Sequence, residues 1–171
     1  GCILPYQKNN FMKISDSLLK KLPKVELHCH LDGCLRLETI LDLAQKQKVS
    51  LPSSNPGDLK KILSIGKKRG TLEEYIARFD ITLSVMQTPD ALKRTAYELI
   101  ADAASENIRY IEVRYSPILH TTKGMTLEDA VISVLDGLKK GEEDFGVKSG
   151  IIVCGIRHIS PESSLKLADL C

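Results

Sequence analysis

The stretch VELHCHLDG at positions 25–33 sets two imidazoles and a carboxylate two residues apart in an otherwise largely apolar segment. Side chains two residues apart on a β-strand point to the same face, so His28, His30 and Asp32 are predicted to lie together while the residues between them face the other way. Two neutral imidazoles at this separation can share one divalent ion, and imidazole suits zinc. The stretch therefore has the geometry of half of a metal site.

Gly33 is expected to break this strand and to allow a sharp turn after it. Sites in α/β barrels lie at the carboxyl ends of the strands, which is where this turn would fall. The alternative interpretation is a pair of partly buried, hydrogen-bonded histidines with a structural role. The residues of the stretch alone leave both interpretations open.

Apolar periodicity and turn residues divide the rest of the chain into alternating strands and helices. Thr126 is the predicted N-cap of a helix that Gly146 ends. Strands are predicted over about 24–30, 108–115 and 150–157, and helices over about 36–48, 58–65, 71–86, 89–106 and 127–145. Apolar strands that alternate with helices are typical of a parallel sheet covered by helices.

Three βα units are too few to close an eight-stranded barrel, and an open parallel sheet of three strands would leave exposed edges. The chain is therefore either a small open α/β domain or part of a barrel, and we favour the second. Residues 1–11 lack periodicity and are expected to be a leader of non-native or read-through origin. Residues 12–171 are expected to belong to a single barrel domain.

Composition narrows the function classes. The 171 residues are 43% hydrophobic and 27% charged, carry a net charge of +2 and contain no apolar run long enough for a transmembrane helix. This charge gives no argument for a nucleic-acid or membrane partner. The five cysteines include no C-x-x-C spacing, which disfavours both a disulfide scaffold and a thiolate zinc site. We therefore expect a reducing, cytoplasmic compartment.

Five blocks of the sequence, in order, resemble the adenosine deaminase family. They are LPKVELHCHLDG at 22–33, TLEEYIARFD at 71–80, YIEVRYSP at 110–117, GEEDFGVK at 141–148 and CGIRH at 154–158. The resemblance is to the N-terminal part of the family. It implies a (β/α)₈ TIM barrel of the metal-dependent hydrolase type, of which this chain would hold about the first three βα units.

The resemblance also implies a reaction, the hydrolysis of adenosine or deoxyadenosine at the 6-amino group with release of ammonia. His28 and His30 resemble ligands of the one zinc ion in each complete active site, which supplies hydroxide for attack on purine C6. Asp32 resembles the residue that binds the ribose 5′-hydroxyl. The family's apolar lid helix and its purine-packing residue correspond to Leu72, Tyr75, Ile76, Phe79 and Ile156.

The family's other zinc ligands, general acid and paired aspartates belong to later blocks that have no match here. We therefore expect no catalytic residue in this chain, the remainder of the barrel to be missing, and the chain alone to be inactive. His120 is interpreted as a loop residue and His158 as a strand-end hydrogen-bonding group. Glu112 and Arg114 share a predicted strand face and are expected to form a structural charge pair.

The sequence departs from the family at two cysteines, and two alternatives to the family's activity stay open. Cys29 stands where an aliphatic residue is common, and Cys34 where a small hydroxyl residue is common. Asp32 favours a nucleoside, because adenine-specific relatives usually carry Glu there. The alternatives are an adenine deaminase or other amidohydrolase-type metal hydrolase, and a non-catalytic half-barrel binding protein whose sheet edges a partner or second copy would cover.

Overall fold

The computed structural model describes residues 14–64, 72–157 and 159–170, with the backbone alone for residues 72–77. Two short 3₁₀ helices lie at Leu31–Gly33 and Pro117–His120. The other elements, in chain order, are α1 (Asp16–Lys21), β1 (Lys24–His30), α2 (Leu37–Gln47), α3 (Pro56–Leu63), α4 (Leu72–Val85), α5 (Pro89–Ser105), β2 (Ile108–Tyr115), α6 (Leu127–Phe145), β3 (Lys148–Val153) and α7 (Pro161–Ala168).

The three described strands form one parallel sheet in the order β1-β2-β3. Helices α2 to α5 connect β1 to β2, and α6 connects β2 to β3. Parallel neighbours need such crossover connections, which place helices against the sheet. The predicted alternation of parallel strands and helices is confirmed. No helix in the described ranges has both the length and the hydrophobicity that a bilayer crossing requires.

Local sequence signals set most element boundaries. β1, β2 and α6 begin and end where the sequence predicts them. The Thr126 hydroxyl accepts a hydrogen bond from the Asp129 N–H at 3.0 Å, and Gly146 has a φ of 71°, so both predicted helix ends are confirmed. The expected leader at 1–11 and His158 lie outside the described residues.

The prediction for β3 was wrong at both ends. This strand starts at Lys148 and stops at Val153, whereas the sequence predicted about 150–157. Pairing with β2 explains the end, because the last residue of β2, Tyr115, is opposite Val153. Just beyond this pair, the Cys154 N–H donates to the Tyr115 carbonyl at 2.9 Å.

A bulge in β1 determines which side chains lie on each face of the sheet. Glu26 pairs with Ile111 and Cys29 with Val113, so β1 contains one more residue than β2 over this interval. The extra residue breaks the strict alternation predicted from the sequence. Leu27, expected on the face opposite the histidines, is 58% exposed, whereas Cys29 packs against the core.

Helices α5 and α6 supply much of the core on the covered face of the sheet, and they approach each other very closely. Gly137 and Gly141 on α6 are buried and face α5. A Cβ atom on Gly137 would lie 2.2 Å from the Lys93 carbonyl oxygen and 2.8 Å from the Ala96 Cβ. The helix pair therefore depends on the missing side chain at Gly137.

We expect Gly137→Ala to lower the free energy of unfolding by about 2 kcal/mol, because the clash with backbone outweighs the better helix propensity of alanine. Urea denaturation of the protein at its natural length measures this. Lys139→Ala, an exposed position on the same helix, is the control and should stay within about 0.5 kcal/mol of wild type. Wild-type stability in Gly137→Ala would contradict the close packing.

His120 is fully buried at the end of a 3₁₀ helix, so its interpretation as a loop residue was wrong. Its Nδ1–H donates to the Met86 carbonyl at 3.0 Å, and its ring lies 5.6 Å from that of Tyr115. Its Nε2 has no hydrogen-bond partner among the described residues. Burial lowers the pKa of His120 to about 4, so the folded protein holds a neutral imidazole at neutral pH.

The unfolded chain takes up a proton on His120 near pH 6.5, whereas the folded protein does so only near pH 4. Burial of the neutral imidazole therefore leaves the free energy of unfolding unaffected above pH 6.5. As the pH falls from 6.5 to 4, protonation of His120 in the unfolded chain lowers this free energy by roughly 3 kcal/mol. Unfolding curves across this range should show a smaller loss for His120→Asn, whose amide can still donate to Met86. Equal losses in the two proteins would contradict the neutral, buried imidazole.

Candidate metal site

His28 and His30 lie together on the open face of the sheet, at the carboxyl end of β1. Their ring centroids are 5.3 Å apart and the rings are inclined at 45°. Both residues are exposed, and the His30 side chain is 49% exposed. The prediction that these two imidazoles share a face is confirmed. Two such donors are a fitting part of a zinc ligand set.

A hydrogen bond to a side chain supports this arrangement. In a bulge one residue loses its regular pairing with the neighbouring strand. Here the His28 N–H donates to the Glu26 carboxylate at 2.9 Å. The carboxylate therefore satisfies a backbone donor at the bulge and supports the backbone that carries the first imidazole.

Asp32 lies beside His30, but not on the strand as predicted. β1 ends at His30, and Asp32 is in the following 3₁₀ helix, closed by a hydrogen bond from the Cys34 N–H to the Leu31 carbonyl at 3.3 Å. Gly33 is within this helix without a positive φ, so the turn does not use the freedom of glycine that the sequence suggested. The His30 Nδ1 to Asp32 Oδ1 distance is 3.7 Å.

The Asp32 carboxyl is buried, with 7% of the residue exposed. Burial raises its pKa, and the charge of the nearby His30 partly offsets that effect. Its Oδ1 is buried without a hydrogen-bond partner among the described residues. A buried acceptor without a partner is costly in a folded protein and marks a position where a bound donor would be stabilised.

Helix α4 brings Phe79 to the same turn. The Phe79 ring meets that of His30 edge-on, with centroids 6.4 Å apart, and its edge carbon would lie 3.5 Å from a Cβ on Gly33. Asp32, Gly33, Arg78 and Phe79 line a cavity of about 160 Å³. The side chains of Leu72, Tyr75 and Ile76 lie outside the described part of the chain, and their backbone belongs to the same helix.

Sequence reasoning missed the contact between Arg114 and His28. The Arg114 Nη1 lies 3.1 Å from the Nδ1 of His28 and 3.0 Å from its Nε2, while Nη2 donates to the Cys154 Sγ at 3.4 Å. The expected partner Glu112 instead accepts from the Tyr110 hydroxyl at 3.1 Å. The order of parallel strands could have indicated this contact, since His30 and Arg114 are in register on neighbouring strands.

Ile156 is half-buried three residues beyond β3, so it does not belong to the strand as predicted. Because the strands are parallel, its loop is at the sheet edge that also carries His30 and Asp32.

Within residues 14–64, 72–157 and 159–170, no three His, Cys, Asp or Glu side chains gather closely enough to hold a metal ion. The described residues thus supply two imidazole donors, a buried carboxyl and an aromatic wall.

A parallel sheet covered by helices, with polar residues at the carboxyl ends of its strands, is typical of α/β enzymes, the barrels among them. The family model described as adenosine deaminase matches residues 23–171, which is most of the chain. The chain belongs to the adenosine deaminase family. Its three βα units form part of a TIM barrel, which confirms the predicted fold.

Three similar proteins illustrate this relationship. An adenosine deaminase from Enterococcus faecalis is 44% identical over 157 residues, which are 92% of this chain and 46% of the relative. The structure of an amidohydrolase from Burkholderia ambifaria with bound Zn has a TM-score of 0.77 at 26% identity, over 95% of this chain and 44% of that one. The structure of adenine deaminase from Arthrobacter aurescens has a TM-score of 0.76 at 29% identity, and the match covers 86% of this chain and 44% of that one.

The chain spans about half the length of the curated relatives it matches. The part of this chain that matches the family model, residues 23–171, contains β1, the 3₁₀ helix that follows it, α4 and the two following strands. It therefore includes every position that the resemblance assigned to metal or substrate binding in this sequence.

Proposed function

We propose that the protein is a zinc-dependent adenosine deaminase that hydrolyses adenosine to inosine and ammonia. The observation that carries this proposal is the meeting of His28, His30, Asp32 and Phe79 at the carboxyl end of β1, in a chain of this family. Because the chain spans about half of its curated relatives, the activity belongs to the proposal for the whole protein.

Zinc would be held by His28 and His30 together with donors from outside this chain. The fit rests on two exposed imidazoles whose ring centroids lie 5.3 Å apart. The relative from Burkholderia ambifaria contains bound Zn, which supports the choice of metal. Bound zinc would supply hydroxide at neutral pH by lowering the pKa of water.

The remaining residues of the site would bind and enclose the substrate. Asp32 is the acceptor for the ribose 5′-hydroxyl, because its buried Oδ1 lacks a partner among the described residues and can receive a hydroxyl hydrogen. Phe79 forms an apolar wall beside it, and the other lid and purine contacts are proposed for Leu72, Tyr75, Ile76 and Ile156. Apolar side chains at these positions would exclude bulk water from the reacting base.

The general acid, the base and the further ligands are proposed to come from the rest of the barrel. The described residues offer two imidazoles but no third donor gathered with them. Structural zinc sites use four protein ligands and catalytic ones three. This chain alone is therefore proposed to be inactive.

An adenine deaminase is the second candidate, since a solved adenine deaminase shares this fold at 29% identity. Asp32 favours adenosine over adenine, because adenosine has a ribose hydroxyl that this carboxyl can bind and adenine has none. The third candidate is a non-catalytic half-barrel binding protein. In that case a partner or a second copy would have to cover the apolar side chains of Val25 and Leu27, which are 60% and 58% exposed.

We also propose a cytoplasmic location and a role in purine metabolism, with a small-molecule substrate and neither nucleic acid nor membrane as a partner. The cysteines support the location, since the described Cys29, Cys34 and Cys154 are free thiols. A net charge of +2 provides little electrostatic attraction for a polyanion such as nucleic acid.

For the metal, we expect His28→Ala and His30→Ala in the protein at its natural length each to weaken zinc binding by at least about tenfold, because each removes a direct ligand. Isothermal titration with zinc, after removal of metal by a chelator, measures the change. Lys139→Ala serves as the surface control and should bind zinc as wild type does. Wild-type affinity in both histidine variants would contradict the proposed ligands.

For the substrate, Asp32→Asn should lower kcat/KM for adenosine by roughly tenfold, mainly through KM, because a neutral amide oxygen accepts the ribose hydroxyl hydrogen more weakly than a carboxylate does. Steady-state assays of ammonia release provide the values. The control is Asp58→Asn on the surface of α3, which should leave kcat/KM unchanged. Turnover of adenine but not adenosine by the wild-type protein would contradict the role of Asp32.

A further inference from the structure

The two faces of β1 carry different chemistry. On the face away from the imidazoles, the Cys29 Sγ lies 3.4 Å from the Cys34 Sγ, with a hydrogen bond between the thiols. Both cysteines are half-buried and reduced. The family commonly has an aliphatic residue and a small hydroxyl residue at these positions, so the thiol pair is a departure that the proposed reaction does not use.

The backbone already brings the two thiols together. Cys29 is next to the end of β1, and the 3₁₀ helix Leu31–Gly33 turns the chain so that Cys34 returns to the strand. A disulfide has an S–S distance of about 2.05 Å, so the sulfur atoms need to approach by about 1.4 Å. The bond would enclose only His30 and the three residues of this helix.

A cavity of about 320 Å³ gives access to the pair. Both cysteines line it, together with Glu26, Asp102 and Glu106. Asp102 is ion-paired with Arg36, whereas Glu26 and Glu106 form no salt bridge among the described residues. Their negative charge disfavours anionic reagents such as glutathione disulfide and favours a small neutral oxidant. Hydrogen peroxide has the right size and charge.

We propose that Cys29 and Cys34 are a redox modification site at which peroxide forms a reversible disulfide across the turn that carries His30 and Asp32. One sulfur attacks the peroxide, the O–O bond breaks, and a sulfenic acid and water form. The second thiol then displaces the hydroxyl of the sulfenic acid as a second water, with its own proton. Two thiols lose two electrons and two protons in total, and one peroxide is reduced to two waters.

The disulfide acts on the candidate metal site through the shared backbone, a consequence that rests on the proposed zinc ligands. Cys29 separates His28 from His30, so a shift of its backbone changes the direction of both imidazoles. Binding sites tolerate only about 0.5 Å of displacement before they lose affinity. The oxidised protein should therefore bind zinc roughly tenfold more weakly than the reduced protein.

Peptide mapping of the protein at its natural length tests the modification directly. Trypsin releases both cysteines in one peptide, 25–36, because Lys24 and Arg36 bound it. After peroxide treatment of the folded, metal-free protein, this peptide should be lighter by two hydrogens and resist alkylation until a dithiol reduces it. Two fully alkylatable thiols, or a sulfonic acid on either cysteine without the linked form, would overturn the proposal.

The variants Cys29→Val and Cys34→Ser cannot form the linked peptide, whereas Cys154→Ser, which removes the third described thiol, should form it as wild type does. The wild-type map decides the question even where a variant fails to fold. Zinc titration of the oxidised and reduced wild type then tests the consequence, and equal affinities would overturn the coupling to the metal site. Absence of zinc binding by the reduced protein would contradict the proposed function, while the peptide result would stand separately.

Discussion

The hydrogen bond from the His28 N–H to the Glu26 carboxylate supports the bulge on which the rest of the site depends. The bulge adds one residue to β1 between the pairs Glu26–Ile111 and Cys29–Val113. Without it, strict alternation would put Glu26 on the same face as the histidines. With it, Glu26 and Cys29 lie on the covered face, and both imidazoles remain on the open one.

Parallel topology then gathers the other groups at the same edge of the sheet. All three strands end together, so the 3₁₀ turn with Asp32, the Arg114 side chain on β2 and the loop with Ile156 lie at one end of the barrel segment. Helix α4 adds Phe79 to this edge from the connection between β1 and β2. The close contact of α5 and α6 at Gly137 fixes the layer on which the sheet rests.

The features that the sequence predicts well are those with local causes. Apolar alternation sets the ends of β1 and β2, and a threonine cap and a glycine with positive φ set the ends of α6. The features it misses depend on partners distant in sequence. β3 stops where β2 ends, His120 is buried by packing against Tyr115 and Met86, and Arg114 contacts a histidine on another strand instead of the glutamate two residues away.

Arg114 would compete with a metal ion for the candidate ligand His28. Its guanidinium lies within hydrogen-bonding distance of both ring nitrogens of His28, while its Nε has no partner among the described residues. A guanidinium is always a donor, so it occupies the nitrogen lone pair that a metal ion would use. Zinc binding at His28, as proposed, would therefore require Arg114 to move away from the imidazole. The guanidinium has planar, bidentate donor geometry, so a carboxylate is the acceptor that would best hold it in a second position.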